Sequence, residues 1–451
     1  MKYVRTLFIF RRDLRLEDNT ALIRALASSC EVCAAFIFDP RQCEPHDYFS
    51  PHAFQFMRAS LDELSLQIEA RGGRLYRFYG LVDDVIQELL DVEKFDVLYI
   101  NKDYTPFSRR RDASLKKICQ KRGVVFEEHD DALLCAPGSV VKEAGGPYAI
   151  FTPFYKKAAL HAVPLPQDNT FKNLVCQELK SSFLLKPDQL SKVFNPDLAV
   201  HGGRSEGLKI FEKLGDLRGY AHERDIPRLD ATSHLSAHLK FGTISPREAF
   251  HAVVSRLGAA HPILQQFYWR DFFTHVGYYY PHVFSGCFYD EYDAIPWQND
   301  KKLFAAWCEG RTGVAIVDAG MRELNTTGFM HNRVRMITAS FLVKDLHIDW
   351  RWGERYFATR LVDYDPAVNN GNWQWAASTG CDHQPYFRIF NPWLQQKRFD
   401  PDCTYIRKWV KELKNTSVQD IFEGGPKDLH SDAAAWIKTA FKDASRRGKN
   451  G

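Results

Sequence analysis

The stretch VRTLFIFRRDLRLEDN, residues 4–19, decides the fold class of the first third of the chain. Its apolar half, residues 4–10, has the length of a buried strand, and a charged turn follows directly. Further strands are predicted at residues 32–38, 74–79, 97–101 and 124–128, with helices near residues 20–29, 52–71, 82–92 and 109–121. Strands that alternate with helices form a parallel, doubly wound α/β sheet. No GxGxxG follows the first strand, so a conventional dinucleotide site is not expected in this sheet.

The rest of the chain has a different pattern. Residues 134–205 are loop-rich, with repeated proline and glycine, which is typical of a connector. From residue 206 onward the strand alternation ends and helical periodicity takes over. A chain of 451 residues is long enough for two domains. We therefore expect a doubly wound α/β domain at residues 1–133, a connector at 134–205, and a larger all-α domain at 206–451.

The composition excludes some classes of protein. Apolar residues make up 45% of the chain and charged residues 26%, which is a globular rather than a disordered composition. The net charge of +4, from 60 basic and 56 acidic residues, excludes a histone-like blanket of positive charge but permits a local basic patch. Aromatic residues make up 14%, with ten tryptophans, and aromatic rings stack on bases, hold flavins and carry electrons.

The cysteines and the apolar runs indicate the compartment. Cys30 and Cys33 form a lone CxxC with no second pair at zinc-finger spacing, so we expect two core thiols and no metal site. The opening residues predict a strand rather than a signal segment, and no apolar stretch approaches membrane-spanning length. We expect a soluble, cytoplasmic monomer whose cysteines stay reduced.

Three further blocks add to the charged turn at residues 10–19. Residues 232–242 read TSHLSAHLKFG, residues 324–336 read LNTTGFMHNRVRM, and residues 363–380 read DYDPAVNNGNWQWAASTG. Hydroxyl residues at a helix start either cap the helix or hold a phosphate, so TSHLS alone decides nothing. Together the four blocks resemble the photolyase/cryptochrome family, specifically its class I cyclobutane pyrimidine dimer photolyases. The resemblance runs from the first strand to about residue 412.

The resemblance implies an α/β antenna domain and a helical domain that holds FAD folded in a U. A reduced, anionic flavin needs nearby cations and hydrogen-bond donors, and Arg335 matches the partner of Asp363. Asn369 matches the residue that faces flavin N5, where an amide can donate or accept. The matched cofactor positions are Tyr220, Thr232, Ser233, His234, Leu235, Ser236, Arg335, Asp363, Tyr364, Asp365 and Asn369.

Three tryptophans match the chain that carries electrons from the surface to the flavin in this family. They are Trp297, Trp350 and Trp373. A single tryptophan usually serves core packing, but three at matched positions favour an electron-transfer role. Trp375 is two residues from Trp373, so on a helix the two rings point to nearly opposite sides. We therefore expect Trp375 to line a lesion pocket while Trp373 carries electrons.

The implied lesion pocket sandwiches a flipped-out pyrimidine dimer of DNA between Trp269 and Trp375. Gln266 and Arg270 share a helix face with Trp269 by their spacing, and we expect Arg270 to reach the DNA phosphates. Gln266 is also expected to take part in repair by hydrogen bonding to the lesion. The remaining matched positions around the lesion or the DNA are Arg224, Asn332, Arg333, Met336 and Gln395.

Gln266 departs from the class I pattern, which has glutamate at this position. Relatives that repair (6-4) photoproducts and animal cryptochromes have glutamine there, but they have histidine where this chain has Asn332 and Met336. The (6-4) reaction needs an imidazole to move a proton. We therefore predict an enzyme that repairs cyclobutane dimers by electron transfer from photoexcited, reduced FAD. A (6-4) photolyase, a cryptochrome photoreceptor and a light-independent flavin or nucleic-acid-binding protein remain as alternatives.

The antenna chromophore is a separate question. Folate-type relatives have a glutamate shortly after the fourth strand, where this chain has Thr105, and only His46 agrees with their pattern. Asp103 and Lys240 instead resemble deazaflavin-type relatives. We expect an 8-hydroxy-deazaflavin antenna at these two residues, with a flavin, a folate or no antenna as alternatives.

Overall fold

The first third of the chain folds into a five-stranded parallel sheet. The computed structural model describes residues 2–186, 189–190, 194–383 and 385–447. The strands are β1 (Tyr3–Phe10), β2 (Ser29–Phe38), β3 (Leu75–Tyr79), β4 (Val97–Asn101) and β5 (Val125–His129). They pair in the order β3-β2-β1-β4-β5. All five predicted strands are present, and the largest difference is that β2 begins at Ser29.

Helices cover both faces of this sheet. They are α1 (Thr20–Ser28), α2 (Pro40–Cys43), α3 (Pro51–Glu69), α4 (Val82–Val92) and α5 (Pro106–Lys121). Neighbouring residues of β1 point to opposite faces, so Phe8 packs in the core under α1 and α3 while Leu7 packs in the core under α4 and α5. The predicted doubly wound parallel sheet is confirmed.

The strand order creates a crevice at the carboxyl ends of β1 and β4. The chain runs from β1 to β2 and β3 on one side, then crosses to β4 and β5 on the other. Ligands of doubly wound sheets bind where the order reverses in this way. Arg12 follows β1 and Asp103 follows β4, so both lie at this crevice.

The segment after β5 runs back along the sheet. Its described residues contain one helix, α6 (Phe151–Ala158). Leu174 then forms a parallel bridge with Val32, and Leu184 an antiparallel bridge with Phe78. The connector thus adds edge contacts to the α/β domain before the chain enters the helical half.

The helical half begins with α7 (Arg204–Glu212). It continues with α8 (Tyr220–Glu223), α9 (Ser236–Phe241), α10 (Pro246–Leu257), α11 (Ile263–Tyr279), α12 (Lys301–Cys308), α13 (Ala315–Thr327), α14 (Asn332–Ser340), α15 (Trp350–Arg360), α16 (Pro366–Ala377), α17 (Pro392–Phe399), α18 (Thr404–Trp409), α19 (Val418–Glu423), α20 (Asp428–Ser431) and α21 (Ala433–Arg447). A π-helical turn, Phe341–Asp345, follows α14 directly. Short 3-10 turns occupy Leu214–Gly219, Pro227–Leu229, Pro281–Phe284, Asp290–Ala294 and Lys411–Leu413.

Local sequence explains several helix starts in this half. Ser245 and Glu248 form a capping box at α10, in which each side chain bonds the other residue's backbone N–H. Asp349 accepts from the Arg351 N–H at the start of α15. Asp365 accepts from two backbone N–H groups at the start of α16. The caps formed by Asp349 and Asp365 fix the starts of α15, which carries Trp350, and of α16, which carries Asn369 and Trp373.

The cysteine prediction is half right. Cys33 is buried in β2, whereas Cys30 is exposed near the start of that strand, where Glu31 is also partly exposed. In the part of the chain that the structure describes, no cluster of three metal-ligating side chains is placed to hold an ion. Within that same part, no helix has the length and hydropathy needed to cross a bilayer.

Candidate functional site

The turn before α9 contains polar groups that lack protein partners. His234 has a left-handed backbone with φ of 53°. Its Nε2 lies 2.7 Å from Asp230 Oδ1, while its Nδ1 and the Thr232 hydroxyl are buried with no hydrogen-bond partner. Buried polar groups are nearly always paired, so unpartnered ones indicate a missing ligand. Thr232 and His234 therefore fit a polar, phosphate-bearing cofactor at this turn.

A second group ties this turn to α14 and to the segment before α16. The Arg335 guanidinium donates to the Asp363 carboxylate at 3.0 and 3.2 Å. Ser236 Oγ donates to the same carboxylate at 2.7 Å. The predicted Arg335–Asp363 pair is thus formed, and it lies beside the Thr232–Ser236 turn.

Asp365 lies in a different environment from Asp363. Its carboxylate caps α16 and forms an ion pair with Arg12 from the loop after β1. The cations of Arg12, Lys240 and Arg270 outweigh the effect of burial, and the pKa of Asp365 falls to about 2. Asp365, one of the matched cofactor positions, thus faces the crevice between the two halves.

Tyr220 and Tyr364 lie on two sides of the helical half. Tyr220 is buried in the core of α10 and α11, and the Arg224 guanidinium lies 5.6 Å from its ring centroid. Tyr364 stacks on Tyr48 from the sheet domain with ring centroids 6.2 Å apart. Leu235 is buried in the same core as Tyr220, while Ser233 Oγ accepts from the Leu235 N–H at 3.5 Å.

Asn369 is buried on α16 and is held by a carboxyl group that sequence analysis missed. Its Nδ2 donates to Glu354 Oε1 at 2.8 Å and to the Glu354 backbone oxygen at 3.1 Å. Burial raises the pKa of Glu354 to about 7, although hydrogen bonds from Asn369 and Tyr48 lower it in part. The available signal was the position of Glu354 four residues after Trp350, on the same face of α15.

The three matched tryptophans pack in or against one apolar core. Trp350 and Trp373 are each 2% exposed, and Trp297 is half-buried at the edge of the same core. Trp373 meets Phe357 edge to face, with ring centroids 5.0 Å apart. Trp307, which sequence analysis did not single out, also meets Trp373 edge to face at 6.1 Å. The structure brings the three predicted residues together.

The packing of α11 on α16 decides where Trp269 and Trp375 lie. A Cβ added at Gly277 would lie 3.5 Å from Ala367 Cβ, and one added at Gly371 would overlap the Phe273 ring. One turn back along α11 therefore corresponds to one turn forward along α16, so the helices are antiparallel. The next turn in this register brings Trp269 opposite Trp375.

The surroundings of Trp269 support this arrangement. Its ring stacks on Phe151 of α6 with centroids 3.5 Å apart and planes at 8°. Phe273 lies 5.5 Å away at 29°, and Phe272 meets the ring edge to face at 5.8 Å. Trp269 and Trp375 are both partly exposed.

Arg270 does not lie where its prediction placed it. Its guanidinium donates to the backbone oxygens of Ala132 at 2.5 Å and Leu239 at 3.0 Å. Burial lowers its pKa from the usual value. Arg270 therefore joins the two halves instead of reaching DNA phosphates. The cause is that helix spacing predicts the side of a Cβ, while the long side chain turns from there into the crevice.

The other predicted contact residues lie at or near the surface. Gln266 and Asn332 are exposed, and Asn332 Nδ2 lies 3.9 Å from Met336 Sδ on the same face of α14. Arg333 pairs with Asp225 at 2.9 Å. The remaining two, Arg224 and Gln395, are half-buried.

The crevice at β1 and β4 holds both predicted antenna residues. Arg12 forms an ion pair with Asp103 at 3.3 Å, and its Nε donates to the Lys240 backbone oxygen at 3.1 Å. Burial opposes charge on Asp103, but Arg12, Arg111 and Lys240 outweigh it and hold the pKa of Asp103 below its usual value. Burial also lowers the pKa of Lys240 to about 8. The crevice is therefore polar and rich in charge.

Two family models match the chain. Residues 6–170 match the DNA photolyase model, and residues 263–443 match the FAD binding domain of DNA photolyase. The first match covers the sheet and most of the connector. The second covers the segment from α11 to most of α21, which includes Arg335, Asp363 and Asn369.

Individual relatives agree with these models. A deoxyribodipyrimidine photo-lyase of Vibrio cholerae is 38% identical over 433 residues, which are 90% of each chain. An archaeal photolyase of Sulfolobus tokodaii, solved with two FAD molecules, is 42% identical with a TM-score of 0.87 over 98% of this chain and 100% of that one. A cryptochrome of Synechocystis sp. is 30% identical with a TM-score of 0.86 over 99% of this chain and 100% of that one.

A doubly wound sheet joined to a helical FAD-binding domain is the class of flavoprotein that this fold and site define. The chain belongs to the DNA photolyase family. The predicted fold class and the resemblance to photolyases are both confirmed, and FAD is the cofactor of the helical half.

Proposed function

We propose that this protein repairs cyclobutane pyrimidine dimers in DNA by light-driven electron transfer. One electron passes to the dimer, the two carbon–carbon bonds that join the bases break, and the electron returns, so the reaction has no net redox change. The observation that carries the proposal is the composition of α16. Asn369 on this helix donates to Glu354 in the interior, and the register of α16 on α11 supports a position of Trp375 opposite Trp269 near the surface.

The chain's own residues hold and insulate the cofactor. Bound, reduced FAD supplies the electron that light releases. Thr232 and His234 offer unpartnered polar atoms for its polar portion, and Arg335 supplies the cation that an anionic ring requires. Asn369 is oriented by Glu354, so its amide oxygen is directed away from that carboxyl and is available to the flavin edge. Burial of these groups excludes water from the reacting ring.

The lesion is bound beside Trp375, on a different face of α16 from Asn369. Trp269 and Trp375 provide two aromatic surfaces between which a flipped-out dimer can stack. Gln266 offers one acceptor and one donor to a thymine edge. Arg224, Arg333 and Gln395 are proposed to contact the DNA backbone, where cations position the duplex without reading its sequence.

Two alternatives share this fold. A (6-4) photolyase is disfavoured because Asn332 and Met336 cannot move the proton that this reaction needs. A cryptochrome photoreceptor is supported by the likeness to the Synechocystis protein, but the paired Trp269 and Trp375 favour lesion binding.

Lesion-specific repair tests the proposal. The protein and Gln266→Glu are illuminated with blue light on oligonucleotides that carry either a cyclobutane dimer or a (6-4) photoproduct. We expect both proteins to repair the dimer, with a difference of about 1 kcal/mol or less in apparent binding, because a carboxylate accepts stronger hydrogen bonds but costs more to desolvate. Repair of the (6-4) product alone contradicts the substrate, and repair of neither lesion favours a photoreceptor.

We further propose that the crevice at β1 and β4 binds an antenna with a fused, flavin-like ring system. The sequence favoured 8-hydroxy-deazaflavin, while the second FAD of the Sulfolobus protein supports a flavin as the alternative. Arg12 and Lys240 offer cations, and Asp103 an acceptor, to the polar edge that both ring systems share.

A further inference from the structure

Trp436 of α21 lies against Trp297, the outermost of the three matched tryptophans. The two ring centroids are 5.7 Å apart, with the planes tilted by 37°. The His347 ring also stacks on Trp436, with ring centroids 4.0 Å apart and the planes tilted by 20°. Trp436 is itself half-buried, so part of its indole remains in contact with solvent. The aromatic series therefore continues past Trp297 toward the surface.

Trp297 connects two apolar clusters of the helical half. It packs against the core that contains Trp350 and Trp373, and it also packs against the small cluster that α21 forms with Ile295. An electron that enters this core from outside through Trp297 can therefore come from a ring of the second cluster. Trp436 is the tryptophan of that cluster that touches Trp297.

We propose that Trp436 is the outermost electron donor of this series. The inference rests on the proposed function, because it assumes that Trp373, Trp350 and Trp297 refill the photoexcited, oxidised cofactor. A positive charge is less costly on a ring that solvent reaches than on the buried Trp350 or Trp373. The charge is therefore more stable on Trp297 and Trp436, which are both partly exposed, than on the two buried rings, and Trp436 ends the series.

Each step transfers one electron inward. Trp373 gives an electron to the bound cofactor, Trp350 refills Trp373, Trp297 refills Trp350, and Trp436 refills Trp297. The indole radical cation left on Trp436 takes one electron from a small thiol in solution, which releases its proton to water, and two thiyl radicals formed in this way join as a disulfide. Electrons and charge are balanced at every transfer.

The surroundings of Trp436 are compatible with its oxidation. Burial lowers the pKa of His347 to about 4, so the imidazole stacked on Trp436 is neutral near pH 7 and does not oppose a positive charge on the indole. Phe441 on the same helix lies under the Lys344 ammonium, with 5.0 Å from nitrogen to ring centroid. Asp345 forms an ion pair with His430 of α20. The contact with Phe441 holds α21, and with it Trp436, against the helical core, and the ion pair holds the preceding α20.

A purely structural role makes a different prediction. If Trp436 only anchors α21, the oxidised ring after illumination is Trp297, and replacing Trp436 with phenylalanine leaves that outcome unchanged. Phenylalanine retains a flat ring for packing but is not readily oxidised. Trp409 on α18 is half-buried and lies outside the series, so Trp409→Phe is the matched control.

The test is to locate the oxidised residue in the FAD-loaded protein. The oxidised holoprotein is illuminated without thiol in the presence of a water-soluble radical trap, digested, and mapped by peptide mass spectrometry. We expect the adduct on Trp436 in the native protein and in Trp409→Phe, and on Trp297 in Trp436→Phe. An adduct on Trp297 in the native protein overturns the proposal.

Transient absorption gives a second, independent readout. Trp436→Phe should shorten the lifetime of the tryptophan radical several-fold, because the positive charge stays closer to the cofactor, while repair by chemically reduced enzyme stays normal. A melting temperature of Trp436→Phe close to that of the native protein would show that α21 remains docked. If Trp297→Phe alters the lifetime and Trp436→Phe does not, Trp436 is not a donor. If neither alters it, the assumed route through Trp297 is itself absent.

Discussion

Glu354 is a buried carboxyl group in contact with Asn369 in the interior of the site. Its pKa is about 7 in the folded protein against an ordinary value of 4.5, because burial disfavours the carboxylate. A group with a raised pKa in the folded state contributes stability that is complete below pH 4.5 and lost as the pH rises through 7. The full difference corresponds to at most about 3 kcal/mol.

Replacing this carboxyl with an amide should therefore flatten the pH dependence of stability. We expect cofactor-free Glu354→Gln to lose less free energy of unfolding between pH 5 and pH 8 than the native protein, because glutamine keeps a hydrogen-bonding group for Asn369 but cannot ionise. Urea denaturation at the two pH values measures the difference. Equal losses in both proteins would show that Glu354 ionises as freely in the fold as in the unfolded chain.

Arg333 and Arg270 should respond differently to substitution by alanine. Arg333 lies near the surface, so Arg333→Ala should weaken binding to damaged and undamaged DNA alike and reduce the salt slope by about one. Arg270 bonds two backbone oxygens between the halves, so Arg270→Ala should lower stability and leave the salt slope unchanged. Anisotropy titrations at several salt concentrations, with thermal melts, separate these effects. A reduced slope for Arg270→Ala would restore its predicted phosphate role.

Residue types and motif order allowed sequence analysis to predict the Arg335–Asp363 pair, but not every side-chain direction. Asp363 and Asp365 are two positions apart, and the sequence did not reveal that Asp365 pairs with Arg12, 353 residues earlier in the chain. The hydrogen bond between Glu354 and Asn369 joins two helices in the same way. Contacts between distant segments depend on packing, which local spacing does not determine.

At the scale of elements, the antiparallel contact of α11 and α16 positions the proposed lesion pocket. A Cβ at Gly371 would overlap Phe273, on which Trp269 stacks. We expect Gly371→Ala to cost about 1–3 kcal/mol of stability through overpacking, which exceeds the gain of about 0.5–1 kcal/mol from helix propensity. It should also weaken lesion binding, because the helices separate and move Trp375 from Trp269.

Gly215→Ala is the matched control for this substitution. A Cβ there meets nothing within 4 Å, so its stability should be unchanged or slightly higher. Chemical denaturation and binding to a dimer-containing oligonucleotide measure both variants. Native stability and binding for Gly371→Ala would mean that the two helices are not in close contact.

Sequence periodicity predicted the elements of the sheet domain better than those of the helical half. Every strand was predicted, because runs of buried apolar residues with a charged turn between them have one simple interpretation. The π-helical turn Phe341–Asp345 and the docking of α21 were not predicted. Both depend on the shape of the surrounding helices. In addition, the buried Lys344 of the π-helical turn departs from the rule that buried positions are apolar.

At the scale of the whole molecule, buried charges join the two halves. Arg12 of the sheet domain pairs with Asp103 and with Asp365 of the helical half, beside Lys240. Lys240→Ala and Asp103→Ala should each weaken the binding of added deazaflavin or flavin at this crevice, measured by the gain in blue absorbance. Native binding in both variants would place the antenna elsewhere.

Light-driven dimer repair by the reduced flavoprotein can be followed with single flashes of blue light. Chemically reduced protein is bound to a thymine-dimer oligonucleotide, and recovery of thymine absorbance is the measurement. We expect intact thymines after each flash and none in the dark, and we expect Trp269→Ala to lower the yield by weakening lesion binding. Absence of recovery under illumination, with dimer DNA shown to be bound, would show that the protein does not repair dimers by light.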